Sequence, residues 1–210
     1  MKRLMMLLAL AVVAAMAIGA TSVLADDGGS SGSGSDDNPA TCTTTAPGTG
    51  TTGTTGDGRV VAKDDNGTSG DDNQPGTSGD DNEHGNGGDD HIDGQAGDDH
   101  IDGDQGDDEL CGEQGDDDIN GGPGNDDMNG GSGDDTMNGG AGNDTENGNS
   151  GNDVVTGGSG ADALNGGSGN DRINSRDGRR DRVNCGAGTD TVKADRKDKV
   201  SHNCEHVKRS

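Results

Sequence analysis

The chain has 210 residues, no Phe, Trp or Tyr, 23% hydrophobic residues and a formal charge of −26. That is too little apolar material for an ordinary globular core. The acidity excludes nonspecific nucleic-acid binding, because phosphate repels such a surface, and it favours divalent cations or basic partners.

Residues 1–25 read as a secretory signal peptide. Lys2 and Arg3 supply the charged start, Leu4 to Ile18 form an apolar run, and Val23-Leu24-Ala25 is a small-x-Ala boundary. The run is short for a membrane span. Cleavage after Ala25 is therefore expected, with secretion and no membrane span once the leader is removed. Losing Lys2 and Arg3 deepens the charge to −28.

Residues 26–84 read as a disordered Gly/Ser/Thr/Asp-rich arm. A looser repeat occupies its end, from Asp64 to Gly79. It lacks an apolar strand residue, so it is expected to add no regular structure.

From Gly85 to Asn174 one nine-residue unit is written ten times without a gap. It reads G-G-x-G-x-D-x-U-x, with U a large apolar residue. The sixth position is Asp90, Asp99, Asp108, Asp117, Asp126, Asp135, Asp144, Asp153, Asp162 and Asp171. The eighth is apolar from Ile92 to Ile173 except at Glu146. Glycines permit a tight turn. The following x-U-x is a short strand whose alternation sends U inward and its neighbours outward. One turn plus one strand takes nine residues, so a full coil closes in eighteen and the sixth-position aspartates stack. Stacked carboxylates repel unless a cation lies between them. Calcium suits the gap, since it accepts six to eight oxygens in irregular geometry.

Residues 175–210 keep an interrupted echo of the unit in Gly178, Asp181 and Val183, then Gly188, Asp190 and Val192, then Asp198 and Val200. Of the fifteen Lys and Arg, eleven lie from Arg172 onward. This reads as a degenerate basic C-terminal cap, since repeat arrays need atypical ends. The four cysteines allow three pairings. Cys185 and Cys204 flank the degenerate coils and are expected to form a staple, leaving Cys42 and Cys111 to pair by default.

Some motifs carry less. Asp116 to Asp127 nearly spells an EF-hand loop, but its flanks are more nonapeptides rather than helices. His91 and His100 fall in consecutive units, on opposite sides of a coil, and read as solvated. Glu146 occupies an inward position, where an unpaired carboxylate is costly. Turning to water, binding metal and staying protonated are all open to it. No H-E-x-x-H is present and no segment could fold as a catalytic domain, so no enzyme is expected.

Gly85 to Asn174 resembles the RTX, or haemolysin-type, calcium-binding repeat, and the tail resembles the ends of secreted actinobacterial members. The resemblance implies an all-β parallel β-roll with several Ca2+ ions held between turns, and metal ligation by the ten sixth-position aspartates. The expected function is a secreted calcium-binding module that folds on ligation and serves in binding or structure. The alternative is an acidic cell-surface or mineral-contacting adhesive polyanion, and the third reading is a secreted enzyme. The partners expected are calcium ions and an unnamed surface or protein partner, and no nucleic acid.

Overall fold

The computed structural model describes residues 64–210, all of them within the unit Asp37–Ser210. The leader, the cleavage point, most of the arm and Cys42 lie outside the described residues.

Seventeen short strands follow one another, and among the described residues there is no helix. They are β1 (Asp64–Asn66), β2 (Asn73–Thr77), β3 (Asn82–His84), β4 (His91–Gln95), β5 (His100–Asp102), β6 (Glu109–Gln114), β7 (Asp118–Pro123), β8 (Asp127–Ser132) and β9 (Thr136–Ala141). Then come β10 (Thr145–Ser150), β11 (Val154–Thr156), β12 (Ala163–Ser168), β13 (Arg172–Ser175), β14 (Arg182–Ala187), β15 (Thr191–Ala194), β16 (Lys199–Val200) and β17 (His206–Arg209). Odd strands form a nine-stranded sheet and even strands an eight-stranded one. Every pair is parallel, and through the regular units the partner is eighteen residues away, as in Ile101↔Ile119 and Leu110↔Met128. This is the parallel β-roll that the resemblance implies, with the eighteen-residue coil expected from the nine-residue unit.

The eighth-position side chains fill the space between the two sheets. Ile92, Leu110, Met128 and Leu164 come from one, and Ile101, Ile119, Met137, Val155 and Ile173 from the other, all essentially buried. Outside, ninth-position amides stack into ladders. Asn138 donates to Asn120 at 2.8 Å and Asn120 to Asp102 at 2.9 Å. On the other sheet Asn184 donates to Asn165 at 2.9 Å, and Asn203, in the turn after β16, donates to Asn184 at 2.8 Å. Such ladders satisfy each amide with its copy one coil away.

The roll starts earlier than the sequence expectation of Gly85. Residues 67–75 and 76–84 keep glycine at positions one and four and aspartate at five and six. They form β2 and β3, paired to β4 and β5. Their inward residues are Gln74 and Glu83, both buried. Backbone pairing and turn geometry, rather than an apolar side chain, thus suffice to add a coil at the end of a stack.

The tail continues the roll. One inserted residue changes the spacing to nineteen, as in Ala163↔Arg182, and a shorter coil follows with Thr191↔His206. Basic side chains close the end by donating to backbone carbonyls. Arg176 reaches Lys208 O at 3.1 Å, Lys197 reaches Gly178 O at 2.7 Å, and Arg209 reaches Asp195 O at 2.8 Å. The last coils are stapled by a Cys185–Cys204 disulfide, with the Cα atoms 5.2 Å apart. Cys111 is also disulfide-bonded. It is fully buried, although its ninth position was expected to face water.

The fourth-position glycines are set by close approach of successive coils. Gly133 has φ of 135°, and a Cβ there would fall on the carbonyl oxygen of Gly115. Gly70, the same position in the first complete unit, has open space around it. Gly133→Ala is therefore expected to lower stability by about 2 kcal/mol or more, while Gly70→Ala changes it by less than about 0.5 kcal/mol. Denaturant unfolding in saturating calcium checks both.

Candidate metal site: a buried row of aspartates

All ten sixth-position aspartates are buried. Each sits where the turn enters its strand, and each uses one oxygen to join coils. Asp90 donates its backbone N–H to Asp108 Oδ1 at 2.8 Å, and Asp108 does the same to Asp126 Oδ1 at 3.0 Å. The opposite face repeats this, from Asp99 to Asp117 at 2.8 Å and from Asp117 to Asp135 at 2.9 Å. The bonds run on through Asp144, Asp153, Asp162 and Asp171. So the ten residues are brought into two rows, as the eighteen-residue coil requires.

The other oxygen is left over. Oδ2 of all ten is buried and has no hydrogen-bond partner. It faces the first-position glycine of its own unit and, in eight of the ten units, a backbone carbonyl across the coil. Beside Gly103, for example, the point where a Cβ would stand is 2.5 Å from Asp108 Oδ2 and 2.8 Å from Gly121 O. Several acceptors therefore converge with no donor among them. A buried acceptor without a partner is costly, and a carboxylate more so. A hard cation with oxygen ligands is the group that fits such a set.

The ends of the stack support this by contrast. Thr68 donates its N–H to Asp72 Oδ2 at 2.6 Å and its hydroxyl at 2.9 Å. Thr77 does the same for Asp81. At the other end Asp198 Oδ2 accepts from Ser175 Oγ at 2.9 Å and from Asp195 N at 2.6 Å. Terminal carboxylates are thus satisfied by protein donors, and interior ones are not.

The sequence reading missed members of this row. Asp181 and Asp190 are buried, accept from Asp162 and Asp171 at 3.0 and 2.9 Å, and also keep an unpartnered Oδ2. Their place in the interrupted echo was the available signal. Glu205 takes the same role in the last coil, accepting from Asp190 N at 2.9 Å. A second ladder runs through the fifth positions in the opposite sense. There Asp107 N donates to Asp89 Oδ1 at 3.0 Å and Asp134 N to Asp116 Oδ1 at 2.7 Å. Its signal was also in the sequence, since nine of the ten regular units carry Asp or Asn at position five.

Burial is the main cause that raises these carboxyls above the usual aspartate range. Asp99, Asp108 and Asp135 are pushed up to about 7, against the lowering effect of the backbone N–H each accepts, with help from neighbouring aspartates. Asp117, Asp126, Asp144, Asp153 and Asp181 reach about 6. Glu146 is raised well above its ordinary value, first by burial and then by Asp144 and Asp162, with the nearby Gly139 N–H opposing the rise.

The histidines and the EF-hand-like stretch are weaker candidates. His91 and His100 lie on different sheets, facing Glu109 at 3.1 Å and Asp118 at 3.4 Å. His84 does approach His100, with ring centroids 6.1 Å apart. It also lies near Asp102 and Asp104, at 3.9 and 4.0 Å, on the partly exposed outer face. The stretch 116–127 is turn and strand, including β7, and has no helices beside it.

A family model, the RTX calcium-binding nonapeptide repeat, matches residues 75–110, 112–146 and 147–180. Together these cover half of the chain. The protein belongs to this family. A search of curated proteins finds no match. The RTX match begins inside β2, ahead of the first apolar unit, in agreement with the early start of the roll.

The raised carboxyls fix the sign of a pH effect in calcium-free solution. Their folded pKa values of about 6–7 lie above the ordinary 3.8, so folding takes up protons. The stability they contribute is present at low pH and is lost as pH rises through about 6–7. Calcium-free protein is therefore expected to gain β structure on acidification from about pH 8 to about pH 5. Far-UV circular dichroism in chelator decides this, and a flat profile contradicts it.

Proposed function

We propose that this protein is a secreted calcium-binding module whose repeats fold into the β-roll on ligation. The observation that carries the reading is the row of buried Oδ2 atoms that no protein donor satisfies, from Asp90 to Asp190. The ten regular aspartates, with Asp181 and Asp190, are the residues that would hold the ions, together with carbonyls of the glycine turns. Bound calcium supplies the positive charge that the row lacks.

The chain's own residues do the rest. The glycines bring carbonyls and carboxylates within one turn, and the Oδ1 bonds hold successive coils in register. One apolar side chain per nine residues is a small return for ordering the backbone, and the carboxylates repel one another when no cation is bound. Ligation and folding are therefore one event. Extracellular calcium modules bind at roughly 10⁻⁴–10⁻³ M, so export would itself trigger folding. The leader-like residues 1–25 support the secreted reading, and no helix of the described residues is long and apolar enough to cross a membrane. The resulting stack, acidic along its turns and basic at its end, serves as a calcium-dependent binding or structural element rather than a catalyst. A polyanion that contacts a surface or mineral is the second use that the charge of −26 favours.

Site ligation and bulk charge make different forecasts. Asp126→Asn with Asp135→Asn removes two charges from the buried row. Glu109→Gln with Asp118→Asn removes two from exposed carboxylates in the same part of the roll. The first pair is expected to raise the calcium midpoint of folding by about tenfold or more, equivalent to about 1.4 kcal/mol. The second pair is expected to move it by less than about twofold. Calcium titration followed by circular dichroism measures both. Equal shifts overturn the site reading.

A further inference from the structure

Glu146 breaks the repeat at a position that is otherwise apolar in every regular unit. Its Cα partners in the sheet are Met128 and Leu164. The side chain is fully buried, so it has not turned to water. Neither Oε1 nor Oε2 has a full hydrogen-bond partner, and the nearby Gly139 N–H only partly offsets the burial.

The carboxylate does not stop among the apolar side chains. It reaches the turn of its own unit. The point where a Cβ would stand on Gly139 is 2.5 Å from Asp144 Oδ2, 2.5 Å from Gly157 O and 2.6 Å from Glu146 Oε1. No ion could occupy that point, which lies one bond from Gly139. The three oxygens nevertheless crowd the same turn, and none of them is a donor. At the corresponding points beside Gly103 and Gly121, the three nearest atoms include only two oxygens, one from the aspartate and one from a carbonyl.

We propose that Glu146 is an additional cation ligand, adding its carboxylate to Asp144 Oδ2 and the Gly157 carbonyl at this turn. The inference rests on the calcium-binding reading above and adds to it a residue outside the repeat pattern.

Gln74 provides an internal comparison. It holds the same inward position in the first complete unit, and its Nε2 lies 2.7 Å from the Cβ point of Gly67, beside Gly85 O and near Asp72 Oδ2. A long polar side chain at position eight thus reaches the turn in both places. Gln74 brings a donor there, bonded to His84 O at 3.1 Å, and Asp72 Oδ2 is already satisfied by Thr68. Glu146 brings only acceptors, to a place where Asp144 Oδ2 is itself unsatisfied. At Gly67 a donor and a satisfied aspartate meet the carbonyl, although Gln74 Oε1 itself has no partner; at Gly139 all three oxygens are acceptors.

A second carboxylate beside that of Asp144, where the other turns have one, makes this the most negative turn of the row. A hard cation of higher charge, such as Tb3+, is expected to enter it first. The test uses the full chain and Glu146→Leu. Leucine already fills this inward position at Leu110 and Leu164 of the same column, and equal circular dichroism of the two calcium-loaded proteins confirms the fold.

Two readouts are taken. The first is the infrared difference spectrum of 13C-glutamate-labelled protein on adding calcium at neutral pH, with the variant assigning the Glu146 band. A carboxylate stretch that shifts on calcium addition and is missing from the variant is expected. The second is the affinity for the first equivalent of Tb3+, expected to fall about tenfold in the variant, with more water molecules on the bound ion by luminescence lifetime. A protonated carboxylic-acid band that persists in calcium and vanishes in the variant overturns the proposal. So does an unchanged first-equivalent affinity. If the parent protein neither binds calcium nor folds with it, the proposed function fails instead, before the variant is compared.

Discussion

The structure depends on how a row of buried carboxylates is satisfied. Each interior aspartate spends one oxygen on the backbone N–H of the coil before it, which fixes register. The other oxygen is withdrawn from water and has no donor. Removing a carboxylate from water costs several kcal/mol unless it is paired, and this cost recurs at every coil. The arrangement that aligns the coils is therefore also the one that penalises them in the absence of a cation. Burial is the largest cause of the rise in the aspartate pKa values, opposed by the backbone N–H each accepts and reinforced by neighbouring aspartates.

The ends of the roll show how the same problem is handled without an ion. Thr68 and Thr77 replace the second-position glycine and donate to Asp72 and Asp81. Ser175 and the backbone of Asp195 donate to Asp198. Arginine and lysine side chains at the C-terminal end bond to free carbonyls rather than forming a neutralising layer over the acids. A stack of repeats needs ends unlike its middle. Here the difference lies in who satisfies the carboxylate: protein donors at the edges, and no protein donor along the interior.

The inward column tolerates polar residues on one condition. Gln74, Glu83 and Glu146 are all buried where the pattern calls for an apolar group. Gln74 stands in the first coil, where part of its amide can reach a carbonyl. Glu146 stands in the middle of the stack, flanked by Met128 and Leu164, and its head is drawn to the turn. A side chain long enough to leave the core can place its polar end among the turn oxygens, so one unit can lose its apolar residue without losing its strand.

The nonapeptide register determined the repeat length, the parallel coil of eighteen residues, the inward face and the stacked aspartates, because a strict period leaves few ways to place each side chain. The cysteine spacing around the irregular coils also pointed to the Cys185–Cys204 staple. Tertiary structure decided where the roll begins. Reading the apolar position as essential excluded residues 67–84, yet pairing to β4 and β5 recruits them, since a parallel partner supplies backbone bonds whatever the side chain is. It also decided that Asp181, Asp190 and Glu205 continue the row through the insertion, that fifth-position side chains form a counter-running ladder, and that Cys111 is buried. Spacing along the chain marks Asp181, Asp190 and the fifth positions but not their contacts, because each contact depends on which atom of one coil meets which atom of the next.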